Sequence, residues 1–270
     1  MVAVFLLLPG CLWAASLPAA PQSLSDDETL KQAVTTFHKG MAARATPGEA
    51  AFFRQAAAGF EELRRRGVQS PALFLDLGNA YLLSGDVPQA ILAYRRGLRL
   101  AANDRTLRAN LAYARDQVAY PSPDHFGRPA GDFWPPWLPR LTPGLTWVLL
   151  VCAYSTACLL ATCWWMTRHG RLMLAGAGAF TLAVVLGAVL AVQAWQSYQE
   201  DRHPSVVIAV DDVLLRKGNG LSYPPRYDTP VNRGVEARLR YARGSWLQVE
   251  LAGGEVGWVP HSACLVDVPE

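Results

Sequence analysis

Residues 77–98 read LGNAYLLSGDVPQAILAYRRGL. Gly78 stands three residues before Tyr81, the triplet Ser84-Gly85-Asp86 interrupts a helical pattern, and Ala90 is followed one turn later by Tyr94. Gly78 and Ala90 are small where two helices must cross, and Tyr81 and Tyr94 are large enough to fill the space beside the crossing. The spacing predicts two antiparallel helices joined by a tight turn at 84–86.

The pattern recurs upstream. Ala56 and Phe60 precede Ala90 and Tyr94 by 34 residues. FHKGMAARA, starting at Phe37, reads as the first helix of this earlier pair, with Gly40 in the role of Gly78; ATPGEA, 45–50, then holds extra residues in the turn. Downstream, RTLRANLAYARDQ begins another first helix, with Leu111 in the role of Leu77. It has no second helix and is expected to act as a solvating cap. These motifs resemble tetratricopeptide (TPR) repeats, helix-turn-helix units of about 34 residues. The resemblance implies an all-α TPR domain over 17–120, with a concave surface made by the first helices that accepts a peptide or partner helix. Leu75, Asn79 and Leu82 would face it, joined by Ala109 and Tyr113 from the next helix. Leu75 and Leu82 are equally readable as packing under neighbouring helices. Asn79 is the sharper candidate, because an asparagine in mid-helix gains little by itself.

Composition separates this region from the rest. Hydrophobic residues make up 51% of the chain and charged residues only 17%, well under the quarter usual for one globular domain. The excess gathers near the N-terminus and between 145 and 195, so several small modules are expected in place of one large core. A net charge of +3 is too small to suggest nucleic-acid binding. Arg64-Arg65-Arg66 reads as a solvated helix face. The five cysteines show no spacing for zinc or a disulfide, and no metal site or cofactor is expected.

MVAVFLLLPGCLWAAS, 1–16, reads as a signal peptide with cleavage near Ser16 or Ala20, or as an uncleaved anchor; LPGC also resembles a lipobox, with Cys11 as the acylated residue. Residues 145–166 and 172–195 are uncharged and long enough to cross a bilayer. They predict a transmembrane hairpin in contact with membrane lipid. The loop 167–171, TRHGR, carries Arg168 and Arg171, and the positive-inside rule puts it in the cytoplasm with both flanking regions periplasmic. Trp147 and Trp195 then mark the outer interface, and Trp164 and Trp165 the inner. Small residues recur at every fourth position: Ala153, Ala157 and Ala161 in the first span; Ala175, Ala179, Ala183, Gly187 and Ala191 in the second. They are expected to let the two helices approach closely. Neither span contains Asp, Glu, Lys or Arg, which argues against transport. The stretch 121–144 is a Pro- and Trp-rich linker, with Trp134 and Trp137 expected at the membrane interface.

From Pro204 the texture changes to short alternating runs. SVVIAVDDVLLRKGNGLSY reads as strand, turn, strand and Gly-rich loop; VEARLRYARGSWLQVELAGGEVGWVPHSACLV reads as three strands broken at RGS and AGGE. LLRKGNG (214–220), GSWLQVEL (244–251) and GWVPHSACL (257–265) resemble bacterial SH3 domains, implying a small all-β barrel over 204–267. Tyr223, Trp246 and Trp258 either form an aromatic binding platform or, for the tryptophans, fill the barrel core.

The whole order is similar to that of the BatE-type proteins of bacterial aerotolerance operons, a likeness carried mostly by PALFLDLGNAYLLSGDVPQAILAYRRGLRL and LRANLAYAR. It implies a multi-domain, non-enzymatic scaffold of the bacterial inner membrane, working with von Willebrand A-domain membrane proteins and MoxR-type ATPases. His38, His125, His169, His203 and His261 are scattered over different modules, which speaks against a shared catalytic site. The alternative is a cell-wall sensor or anchor in which the barrel binds peptidoglycan.

Overall fold

The computed structural model describes residues 25–44, 46, 48–121, 127–129 and 141–267. The 1–16 segment with Cys11, and the linker residues Asp124, His125, Trp134 and Trp137, lie outside them. The described residues are mostly helical, with one small antiparallel sheet and two long apolar helices.

Five helices come first: α1 (Asp26–Ala42), α2 (Glu49–Arg65), α3 (Pro71–Leu83), α4 (Val87–Leu100) and α5 (Arg105–Asp116). Their starts are written in the sequence. Ser25 and Glu28 form a reciprocal capping box ahead of α1, Ser70 caps α3 with Pro71 in the first turn, and Asp86 and Asp104 cap α4 and α5. The α3–α4 turn depends on Gly85, whose φ of +87° would strain any residue with a Cβ.

The two crossings differ. A Cβ on Gly78 would stand 2.3 Å from the Tyr94 ring, so the glycine is what lets α3 and α4 touch. Gly40 also admits an aromatic ring, but it is that of Phe53, two turns nearer the connection than Phe60. Gly59, next to Phe60 in the chain, meets Ala33 of α1, where a Cβ would lie 2.9 Å from the Ala33 Cβ. The equivalence of Gly40 with Gly78 is therefore corrected. Both helices of the first pair are longer, 17 residues each against 13 and 14, and the crossing sits further from the turn.

The apolar helices α6 (Pro143–Thr167) and α7 (Gly170–Arg202) form a hairpin. Arg168 closes α6 in a left-handed conformation, φ 58°, with its guanidinium over the rings of Trp164 and Trp165. The contact face of α6 is Thr146, Leu150, Ala153, Ala157, Leu160 and Trp164; on α7 it runs through Gly176, Ala179, Ala183 and Leu186. These steps alternate between three and four residues, the period of a left-handed seam. A strict step of four overshoots one helical turn by about 40° each time. Ala161, Ala175 and Ala191 of the expected stripes consequently lie on the exposed side.

Helix α7 continues past Trp195 and passes through His203 and Pro204 directly into the sheet. The strands are β1 (Ser205–Ile208), β2 (Glu236–Arg243), β3 (Trp246–Leu251), β4 (Val256–Pro260) and β5 (Cys264–Val266), antiparallel in the order β4-β3-β2-β1-β5. The turns at 244–245 and 252–255 fall where RGS and AGGE place them. The strand expected after the first turn is absent: between β1 and β2 there are isolated bridges, Val213 to Val231 and Arg216 to Pro225 and Trp258. Pro224, Pro225 and Pro230 remove the N–H donors a continuous ladder would need.

Among the described residues the apolar side chains form three clusters, as several small modules in place of one large core would give, but one of them is shared between helices and sheet. Tyr94, Ile91, Leu107, Leu111 and Ala114 of the helices lie in one hydrophobic cluster with Val206, Val207, Val235, Val249 and Val259 of the sheet. Helix α5 is open on the side that carries Arg105, Thr106, Ala109, Ala112 and Tyr113. Its buried face belongs to that shared core.

Candidate functional site

The junction between helices and sheet is built from charges as well as apolar contacts. Val118 and Val87 close over Gly234, where a Cβ would lie 2.6 Å from Val118. Asn232 Nδ2 donates to the Ala119 carbonyl at 2.8 Å. Two carboxylates of the sheet region are almost fully buried, Glu236 at 4% exposure and Asp267 at 1%. Each is held by two arginines from the helices. Arg115 donates to Glu236 from Nε at 2.6 Å and from Nη2 at 3.0 Å, and Arg95 reaches the same carboxylate. Arg96 Nε donates to Asp267 at 2.9 Å, and Arg99 grips it with both terminal nitrogens. Burial pushes the Glu236 carboxyl up, but the hydrogen bonds and charge of Arg115 and Arg95 outweigh it and hold it below the usual carboxylate range.

Of the five residues expected on the helical binding surface, Ala109 is exposed and the other four have different environments. Leu75 and Leu82 are half-buried and pack against the shared core. Asn79 is engaged inside the protein: its Oδ1 accepts from the Tyr94 hydroxyl at 2.8 Å and from Asn110 Nδ2 at 2.8 Å. One amide oxygen thus ties α3 to both α4 and α5. Tyr113 is open, at 59% exposure. Together these residues leave Ala109 and Tyr113 open to meet another molecule, with Asn79 and the leucines setting the helices behind them.

On the sheet the alternation is regular in β3 and β4. Leu247, Val249 and Leu251 point into the core and Trp246, Gln248 and Glu250 point away; Trp258 is likewise outward, between buried Gly257 and Val259. Neither tryptophan belongs to the core. Gln248 pairs with Trp258 on one side and with Tyr241 on the other, and the Tyr241 and Trp258 rings meet edge-on at 6.3 Å and 84°. Arg216 shares two backbone hydrogen bonds with Trp258, and its Nη1 donates to the Tyr223 carbonyl at 2.7 Å. Tyr223, 47% exposed, lies over Gly218. Trp258, Tyr241 and the Tyr223 loop therefore form one outward aromatic surface with Trp246 at its edge.

Tyr241 escapes sequence reasoning for a physical reason. In EARLRYAR, Ala237 and Leu239 face inward, so simple alternation sends Tyr241 inward as well. A bulge between Leu239 and Tyr241 shifts the register by one and turns Tyr241 out. The four arginines of the junction also escape it, since they read as an ordinary basic helix face.

Among the described residues no three His, Cys, Asp or Glu side chains are grouped to hold a metal ion. The four described cysteines are free; Cys264 is buried, which raises its thiol pKa to about 12 and makes it unreactive. No protein-family model, curated protein or solved structure matches the chain.

Proposed function

We propose that this chain is a non-enzymatic, membrane-anchored scaffold, with α1–α5 as a TPR array and the sheet as an SH3-like barrel. One observation carries the reading: the helices and the sheet are locked by two buried carboxylates, each between two arginines. Two outward surfaces, one around Tyr113 and one around Trp258 and Tyr223, are thereby held at a fixed separation. Surfaces fixed in advance lose less entropy when a partner engages both, and the second contact gains from the first. The hairpin α6–α7 would anchor this unit in the bacterial inner membrane, with Arg168 and Arg171 in the cytoplasm and the rest periplasmic. The BatE-type resemblance supplies the class of partner: von Willebrand A-domain membrane proteins associated with MoxR-type ATPases.

The test is a crosslinked pull-down from native membranes, comparing the intact chain with Tyr113→Ala and Trp258→Ala. Tyr113 is exposed, so its loss should leave the fold intact. Disappearance of an A-domain or ATPase partner in Tyr113→Ala supports the scaffold; an unchanged partner set overturns the helical surface as the site.

The outward tryptophans favour a second reading, a cell-wall anchor, because indole faces stack on the C–H faces of sugar rings. Co-sedimentation of the full chain with peptidoglycan, abolished by Trp258→Ala, would support it. The isolated sheet is a poor reagent here, since it would expose its half of a shared core.

A further inference from the structure

The strand β2 does not end where its partner begins. Ser205, the first residue of β1, pairs with Arg238. The pairing continues backwards into the end of α7: Leu239 N–H donates to the Pro204 carbonyl at 2.9 Å, and His203 Nδ1 lies 3.1 Å from the Leu239 carbonyl. Residues 239–243, the turn at Gly244-Ser245, and Trp246 thus run past the start of the sheet on the side from which α7 arrives. Five strand residues span about 16 Å. From Trp195, the end of the apolar span, to Arg202, α7 rises only about 10 Å. The overhang is longer than the stand-off.

The side chains on both suit the interfacial layer of a bilayer. On α7, Trp195 and Tyr198 are neighbours at 6.3 Å, and the Arg202 guanidinium lies 4.8 Å from the centre of the Tyr198 ring. On the hairpin, Arg243 pairs with Trp246 across the tip, Tyr241 is 58% exposed, and Arg238 and Arg240 lie on the same outward side with Glu250 among them. Aromatic rings with arginines are what the headgroup layer selects, and excess arginine suits anionic lipid.

We propose that the tip of the β2–β3 hairpin docks on the surface of the membrane that α6 and α7 cross, with Trp246 in the headgroup layer and Arg243 on anionic phosphates. This rests on the reading of α6 and α7 as membrane spans. It leaves the row of Tyr241 and Trp258, with Tyr223, for a partner and makes the whole unit stand in one orientation on the bilayer.

The full chain is reconstituted in vesicles of phosphatidylethanolamine and phosphatidylglycerol, with a benzophenone amino acid at Ser245, at Ala252 or at Leu159. Ser245 is the exposed hairpin tip, Ala252 the exposed turn at the other end of β3, and Leu159 an outward position on α6, 68% exposed. Lipid adducts are read by mass spectrometry after illumination. The expected result is adducts at 159 and 245, few at 252, and a several-fold fall at 245 when phosphatidylcholine replaces the anionic lipid. Adducts at 159 with none at 245, or equal yields at 245 and 252, overturn the docking while leaving the spans in place. No adduct at 159 removes the membrane reading and the docking with it.

Discussion

Arg115 of α5 and Glu236 of β2 are 121 residues apart in the chain and 2.6 Å apart in the fold. Glu236 also receives Arg95, so one buried carboxylate ties two helices to the sheet. Glu236→Ala would remove the carboxylate shared by both arginines, while Arg95 would keep the Ser205 hydroxyl as an acceptor. Breaking a buried pair costs about 3–5 kcal/mol. The side chains of Arg95 and Arg115 keep 28% and 31% of their exposure and can rehydrate, so the loss belongs at the low end, about 3 kcal/mol. Denaturant unfolding of the full chain in detergent, followed by signals from the sheet and the helices, should show that loss. A variant as stable as the parent would mean that the lock contributes nothing.

The same carboxylate predicts a pH dependence. Its folded pKa lies below the ordinary value of 4.5, so its contribution to stability is complete above that value and disappears as pH falls through the folded pKa. Other carboxylates titrate in the same range, and Glu236→Gln isolates this one. The stability gap between parent and Glu236→Gln should be constant at neutral pH and narrow below about 4.5. A gap that widens on acidification would reverse the assigned sign.

Asn79 separates fold from binding. Its oxygen accepts from Tyr94 and Asn110, and Asn79→Leu would leave the Tyr94 hydroxyl, on a side chain with no exposed surface, without its acceptor. A buried donor without an acceptor costs about 1–3 kcal/mol. Asn79→Asp retains an acceptor for both donors and should lose much less. Thermal unfolding of the two variants should rank them in that order; equal losses would mean that the hydrogen bonds do not matter and the side-chain volume does.

What can be read from sequence follows from how each contact is encoded. The α3–α4 crossing is legible because a glycine inside a helix sacrifices about 1 kcal/mol against alanine, a loss that close approach of a neighbour offsets. Gly78 takes that loss, and the Tyr94 ring occupies the space where its Cβ would be. The first crossing misleads because its glycines meet other partners than the repeat suggests, Gly40 the Phe53 ring and Gly59 the Ala33 Cβ. The junction is illegible. Arg95, Arg96 and Arg99 have the composition of a solvated face, and no local pattern announces that Glu236 and Asp267 will be buried beneath them. Trp246 and Trp258 are ambiguous in sequence because a half-buried outward tryptophan and a core tryptophan leave the same alternation; the pairing with Gln248 and Pro260 assigns the face.

The apolar hairpin α6–α7 gives a test in which similar substitutions should part company. Ala153 and Ala183 are 8% and 5% exposed, in the seam between α6 and α7. Ala161 and Ala175 belong to the same every-fourth-residue stripes but face outward. Leucine at 153 or 183 must push the helices apart, and overpacking of this kind costs about 1–3 kcal/mol. Leucine at 161 or 175 meets only lipid or detergent and should cost nothing measurable. Gly176→Ala also belongs with the tolerated set, since its Cβ would sit 3.4 Å from the Leu160 Cβ, an ordinary contact. Thermal stability of each variant, solubilised in one detergent, separates the two groups. If Ala175→Leu were as damaging as Ala183→Leu, the helices would meet along the strict fourth-residue stripe. The seam with alternating steps of three and four would then be wrong.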